Sequence, residues 1–511
     1  MKRRTLDPGR RGRSVAVLCL SSYLCLGLVS GSSPATAQPP DFQASPSEPG
    51  LSAAPDLVRT ASPLRSGGAP LIADAVRNLD TGLTFPSIQA ALDDAGTLDG
   101  HTLQVEVPEL DEGPVSVVKS VTLQGATGTE VVKMTQDTGS SGDARGWFLV
   151  AAGVDLTVRD LGFDGNGFKV HQGFRHRGTG LFERVSFRDI QFDPSTVFAG
   201  TAIVAFGGNV TVRDCTFEQI GRVGVLFFGT VVTAGVFDDN TYVGKGDGTF
   251  LDYAAEIGAG AFASVRGNVI TDNRGEATDG SDSAALLVTT FFGPGSEGFY
   301  ESNNLFGNTV GISAGPAADD SSTVVARCNR IVSNTVGLDH DPGIGDIDAA
   351  NNWWGCNEGP GFLGCDPVQG APANVDFDPW LVLSLTALPN PTTLGSPVDV
   401  QASLEINSDL ADISATCTVP DGIPVDFATA GGSLAPPSSV TGGGTAATVF
   451  TPNQTGTLPV EATVDNATVA VDVVVEPGVP IPTLSEWGLA LLVVALGWLG
   501  LGTLRRRSVA S

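Results

Sequence analysis

The chain predicts an all-β protein: a parallel β-helix, then a small β-sandwich, closed by a C-terminal transmembrane helix. Three observations carry this. Short strand-like units recur about every 25 residues between 159 and 354, each rich in Gly, Asn and Asp at its turns. From 384 to 476, apolar residues instead recur at every second position between Gly-, Pro- and Ser-rich turns. Finally, residues 488–504 carry no charge and run straight into Arg505, Arg506 and Arg507.

Residues 1–37 read as a signal peptide. Lys2, Arg3, Arg4, Arg10, Arg11 and Arg13 form a basic leader, "VAVLCLSSYLCLGLV" an apolar run, and Ala35 and Ala37 an A-x-A cleavage site. The Arg10-Arg11 pair lacks the rest of a twin-arginine motif and Cys25 follows a poor lipobox, so general secretion is expected, with a mature start near Gln38. Residues 38–70 are rich in Pro, Ser, Ala and Gly and form a flexible linker.

The β-helix is assigned to 71–383. It opens with a capping helix in "FPSIQAALDDA", where Ile88, Ala91, Leu92 and Ala95 share a face and Pro86 suits the first turn. The repeat units are "RDLGF", "ERVSF", "RDCTF", "DDNTY", "RGNVI", "SNNLF", "RCNRI" and "ANNWW", with third positions at 161, 185, 215, 240, 268, 304, 329 and 352. Leu156 and Val158 point inward while Thr157 and Arg159 point out, and Val210 and Val212 repeat the pattern. Asn240, Asn268, Asn304, Asn329 and Asn352 fall at one position of successive turns, where stacked amides form a hydrogen-bonded ladder. A sandwich is expected over 384–476 from the alternation of Val398, Val400, Ala402, Leu404 and Ile406, and of Leu458, Val460, Ala462 and Val464. Residues 477–487 link it to the transmembrane helix at 488–504, and 505–511 form a basic cytoplasmic tail.

A net charge of −28 excludes nucleic acid as a partner. Of the seven cysteines, Cys19 and Cys25 fall in the leader. Cys356 and Cys365 bracket a short loop in an oxidising compartment and are expected to pair. Cys215, Cys328 and Cys417 read as small buried residues, with no pairing assigned. Trp353 and Trp354, with Trp380 near the same end, are expected to seal the last turn against water.

No catalytic residue is assigned. Asp272, Glu276, Asp279 and Asp282 crowd the longest inter-turn insertion and form a weak candidate Ca²⁺ site, ordinarily a solvated acidic loop. Asp238-Asp239, Asp319-Asp320 and the Asp346/Asp348 pair are thin candidates. His171 and His176 are poorly spaced for a metal. An enzyme would require carboxylates of neighbouring turns to converge with a basic residue in one groove, and Arg213, Arg266 and Arg274 are the basic residues placed near such a face.

Three resemblances add to this. "FPSIQAALDDA", "VSVVKSVTLQG" and "NNWWGCNEGPGFLGC…VDFDPWL" resemble right-handed parallel β-helix proteins of the pectate-lyase-like superfamily, which implies a right-handed helix but no particular activity. Residues 422–464 resemble the immunoglobulin-like domains of invasin-type surface proteins, implying a spacer. Ile481, Pro482, Thr483, Leu484, Trp487 and Gly488, followed by the apolar helix and Arg505–Arg507, resemble the IPTL-CTERM sorting signal. That implies an exosortase-like sorting enzyme as partner, with the precursor held in the inner membrane. The expected protein is an exported bacterial envelope protein that binds glycans, adheres or supports structure without catalysis. The alternative is a polysaccharide lyase or glycoside hydrolase.

Overall fold

The computed structural model describes residues 74–192, 199–316, 321–341, 345, 347–478 and 486–507, the last with side chains at 488–499. The signal peptide, the cleavage site at Ala35 and Ala37, all of the 38–70 linker and Ile481–Leu484 of the sorting motif lie outside these residues.

From the first turns to Asp376 the chain winds through three parallel sheets, contributing one strand to each per circuit. Over the central turns the first sheet holds Val210–Arg213, Gly235–Asp238, Phe262–Arg266, Glu297–Glu301 and Thr323–Arg327. The second holds Thr216–Glu218, Thr241–Val243, Val269–Thr271, Asn304–Phe306 and Arg330–Val332. The third is ten-stranded and includes Val223–Phe228, Tyr253–Gly258, Ala284–Thr289, Val310–Gly315 and Val336–His340. Every strand is short because the chain must turn three times per circuit. Parallel in-register pairing places like side chains above one another inside. Phe163, Phe187 and Phe217 form one such column, with stacked ring centroids 5.8 and 5.0 Å apart. Phe148 and Phe174 stack at 4.7 Å in another.

The corner between the first and second sheets sets the repeat. Each time, one residue takes a left-handed conformation: Asp160, Arg184, Asp214, Asp239, Gly267, Ser302, Cys328 and Asn351 all have φ between 53° and 65°. That single residue reverses the strand direction sharply, which is why Asp, Asn, Ser and Gly crowd this position. The next residue points into the corner. Asn240, Asn268, Asn329 and Asn352 occupy it as expected from the repeat, but Asn304 does not: the ladder residue of that turn is Asn303. With Ser302 left-handed, Asn304 falls one place too late and becomes the first residue of its strand, half-exposed, accepting a 2.7 Å hydrogen bond from Arg330. In the true ladder each Asn Oδ1 from Asn268 onward receives both the backbone N–H and the side-chain Nδ2 of the Asn one turn before, at 2.8–3.1 Å, and Asn240 Oδ1 at the head of the row accepts from Cys215 N. Each Nδ2 also donates to a carbonyl of the preceding first-sheet strand, such as Val265 for Asn303 and Tyr300 for Asn329. No amide in the row is left unsatisfied in a site buried from water.

A second ladder runs along the next corner. Asn308 and Asn334 repeat the arrangement and end on a carboxylate, Asp366 Oδ2, which accepts from Asn334 N and Nδ2 at 2.9 and 2.8 Å; Asn273 joins through its backbone N–H to Asn308 Oδ1, while its Nδ2 donates to the Ala284 carbonyl. The signal was present in sequence as "NVITDN", "NNLFGN" and "NRIVSN", an Asn recurring five residues after the first-ladder Asn.

Both ends of the stack are covered. At the start, the helix Ile88–Asp93 lays Ile88, Ala91 and Leu92 on the first turn. Its cap is Ser87, whose Oγ accepts from Ala90 N, so Pro86 precedes the helix instead of opening it and Ala95 lies beyond its end, exposed. At the other end, strands Leu381–Leu388, Val398–Asn407, Thr445–Pro452 and Gly432–Ala435 form one sheet. A facing sheet is built around Gly456–Val464 and Ala467–Glu476. This second module begins at Leu381, slightly before 384.

The expected spacer is instead fastened to the last turns. Trp353, fully buried, shares one core with the sandwich. Arg330 and Asp465 form a two-point ion pair with both side chains buried, and Trp353 Nε1 donates to the same carboxylate at 2.7 Å. Cys328 and Cys417, read from sequence as small buried residues with no pairing assigned, are disulfide-bonded across the junction. The pairing escaped sequence reading because 89 residues separate them. Cys356 and Cys365 form the second disulfide, and Cys215 is buried and free.

The tail requires a correction. The segment is a helix, Glu486–Arg507, but among the described residues no helix is long and apolar enough to cross a membrane. The expected transmembrane span over 488–504 is therefore not supported.

Two outcomes test the ladders. Asn329→Ala removes two donors and one acceptor from a buried row and should lower unfolding free energy by ~2–4 kcal/mol, whereas Asn304→Ala should cost under ~1 kcal/mol, both read from urea melts. Asp366 is pushed up to about 6, chiefly by burial. A carboxyl whose folded value is raised contributes stability at low pH and loses it as pH rises through about 6. Asp366→Asn should therefore stabilise the protein at pH 8 by ~1–3 kcal/mol and leave it unchanged at pH 4.

Candidate functional site

The outward side chains of the first sheet form one column. Register pairs Gln104 with Gln124, Gln124 with Arg159, Arg159 with Glu183, Glu183 with Arg213, Arg213 with Asp238, Asp238 with Arg266, Arg266 with Glu301, and Glu301 with Arg327. From Arg159 onward the sign alternates at every step, at the ~4.8 Å spacing of hydrogen-bonded strands. In-register stacking would otherwise set like charges directly opposite one another, which is destabilising.

Most of the column is internally paired. Glu183 takes Arg213 from the next turn and Arg184 at 2.9 Å. Glu301 takes Arg327 at 2.6 Å and Arg266 at 3.8 Å. Both of these guanidinium groups also lie over the Phe299 ring, 4.9 and 4.8 Å from its centre. Two members stand apart. Asp238 lies between Arg213 and Arg266, yet its Oδ1 is buried with no hydrogen-bond partner among the described residues. Burial, opposed by Arg266 and reinforced by Asp239, pushes its carboxyl up to about 6. Arg159 makes no ion pair among the described residues; its Nε and Nη2 both donate to Gln124 Oε1, at 3.0 and 2.9 Å.

The structure thus brings Arg213 and Arg266 onto one face with Asp238 and Glu301, while Arg274 sits on the insertion beside Asp272 and Asp247. The acidic insertion does not gather. Asp272 faces Arg274 at 3.4 Å, Asp279 accepts from Ser281 N, and Glu276 bridges to Asp282 through the backbone. Among the described residues, Cys356, Glu358 and Cys365 are the group close enough to hold a cation, and the two sulfurs are already joined in the disulfide. His171 packs on Phe192 and His176 on Phe182; burial lowers both to about 4. Sequence reading missed the charge column because its members lie 20–35 residues apart, and their alignment requires the correct register at every turn.

A second polar cluster lies behind the third sheet. Glu256, buried, faces Arg222 at 3.6 Å, and Asp252 accepts from Tyr242 Oη at 2.5 Å and from Lys245 N at 2.8 Å. Burial raises both carboxyls. The cluster lies against an apolar patch of Val204, Leu226 and Leu287 and has no opening to solvent at Glu256 or Asp252.

Residues 479–507 match the IPTL-CTERM motif. The tail marks an exported, envelope-associated protein processed by a sorting enzyme of the exosortase type. No curated protein matches the chain. Among solved structures, the periplasmic alginate epimerase AlgG is similar at 9% identity with a TM-score of 0.33. The overlap takes in 50% of this chain and 66% of that one, so the chain spans just under two thirds of the protein it matches.

The Asp238 environment has a direct readout. A ¹³C carboxyl titration of the full chain should contain two midpoints near 6, one lost in Asp366→Asn and the other in Asp238→Asn, while Asp239→Asn should lower the Asp238 midpoint by removing a neighbouring negative charge.

Proposed function

We propose that this protein is exported, sorted to the envelope through its IPTL-CTERM tail, and there binds acidic glycans along the outer face of the first sheet without cleaving them. The observation that carries this reading is the column of arginines recurring at every second turn, Arg159, Arg213, Arg266 and Arg327. They stand on a rigid sheet within a chain of net charge −28. An extended polyanion lying along the axis would meet a cation about every 10 Å, two strand spacings. Elsewhere the acidic body repels it, which confines binding to this face. The immunoglobulin-like module then serves as the closing cap of the solenoid, fastened by Cys328–Cys417 and Arg330–Asp465.

One observation favours the enzymatic alternative, a lyase or hydrolase. Asp238 holds a carboxyl near neutrality on the same face as Arg213 and Arg266, the combination of acid and guanidinium that acid–base chemistry needs.

The two readings separate in one assay. The full chain in mild detergent is incubated with acidic and neutral polysaccharides, and bound polymer, new reducing ends and unsaturated products are recorded. The expected result is retention of acidic polymers only, weakening as salt rises from 50 to 500 mM, with no product. Product that vanishes in Asp238→Asn would establish the alternative.

A further inference from the structure

The first turns carry a built groove at the end of the charge column. It has a volume of about 330 Å³ and is lined by Gln104, Gln124, Arg159 and Asp160 on one side and by the loop from Gly125 to Gly128 on the other. We infer that this groove is a subsite for a single carboxylate-bearing sugar residue, the place where a uronate of the glycan is gripped. The inference rests on the glycan-binding reading of this face and names the ligand class and the residues that select it.

Three features make the groove a site. The first is a preorganised cation. Gln124 Oε1 receives Nε and Nη2 of Arg159, which fixes the guanidinium plane and leaves its other N–H groups directed away from that amide. A carboxylate can take these in parallel; Asp160, the groove's own carboxylate and within electrostatic reach of Arg159, is already held by Arg184 at 2.7 and 3.1 Å. The second is a rigid wall. Glu130, buried, accepts the N–H groups of Thr127, Gly128 and Thr129 and the Thr127 hydroxyl. Burial works against the Glu130 charge, but these hydrogen bonds outweigh it and hold the carboxyl below its ordinary value. The loop is therefore fixed before any ligand arrives, and no ordering cost falls on binding. The third is a floor without a side chain. A Cβ at Gly125 would lie 2.2 Å from the Asp160 carbonyl oxygen and 2.3 Å from Glu130 Oε2, so the loop can approach the sheet this closely only with glycine here.

Gln104 and Gln124 supply the remaining selectivity. Stacked in register on consecutive turns, they offer amide donors and acceptors suited to sugar hydroxyls. A cation flanked by two amides favours a carboxylated sugar over a neutral one, for which the guanidinium would be desolvated without compensation.

The test uses the full chain in mild detergent and three hexasaccharides: a uronate oligomer, a neutral oligomer of matched linkage, and a sulfated oligomer lacking carboxylates. Calorimetry should find binding of the uronate oligomer, weakened at least tenfold by Arg159→Gln and at least threefold by Gln104→Ala. Both variants are on the solvent face, and unchanged urea midpoints would show that they fold. Uronate binding unaffected by Arg159→Gln would overturn the subsite while leaving the wider glycan-binding reading in place. Preference for the neutral or sulfated oligomer would overturn the assignment to a carboxylated sugar. Binding of none of the three, together with failure to retain any acidic polysaccharide, would remove both.

Discussion

The structure depends on one corner. A left-handed residue followed by an inward asparagine turns the chain from the first sheet to the second, and the asparagine amides of successive turns bond to one another. The left-handed residue costs little where it is Asp, Asn, Ser or Gly. The asparagine repays the burial of its polar amide by meeting both a neighbouring amide and a backbone carbonyl. Because each corner must sit directly above the last, this constraint sets the register of every strand between them.

Register then decides the surface. Once Asn240, Asn268, Asn303, Asn329 and Asn352 are stacked, the residue two places before each is also stacked, and those residues are Asp238, Arg266, Glu301, Arg327 and Ala350. The charged column is thus fastened to the buried ladder by two residues of chain. Alternating sign relieves repulsion and holds Phe299 beneath two guanidinium groups. Where alternation meets the uncharged Gln104 and Gln124, at the first turns, Arg159 is held by an amide and makes no ion pair among the described residues.

The far end shows a different balance. An open turn exposes backbone edges and an apolar interior, and tryptophans alone do not cover them. Here Trp353 completes the core of the sandwich, and a buried ion pair and a disulfide tie the two modules. Asp465 serves both Arg330 and Trp353, so the cap and the last turn share polar contacts as well as apolar ones.

Much of the fold was legible in the chain. The repeat near 25 residues, the inward alternation around Val158 and Val212, the face of the capping helix and the Cys356–Cys365 loop all follow from local spacing, which the sequence displays directly. So does the sorting motif, a contiguous pattern. What remained hidden was long-range. Asn303 and Asn304 are indistinguishable as letters, and only the left-handed Ser302 separates them. The Cys328–Cys417 link, the Arg330–Asp465 pair, the second asparagine ladder's end on Asp366 and the groove around Arg159 each join residues distant in sequence. The sequence by itself determined the period, the strand character and the polar corners, because those depend on neighbours a few residues away. The tertiary structure alone decided which turn stacks on which and in what register, because that choice minimises the burial of unsatisfied polar groups over the whole length of the solenoid.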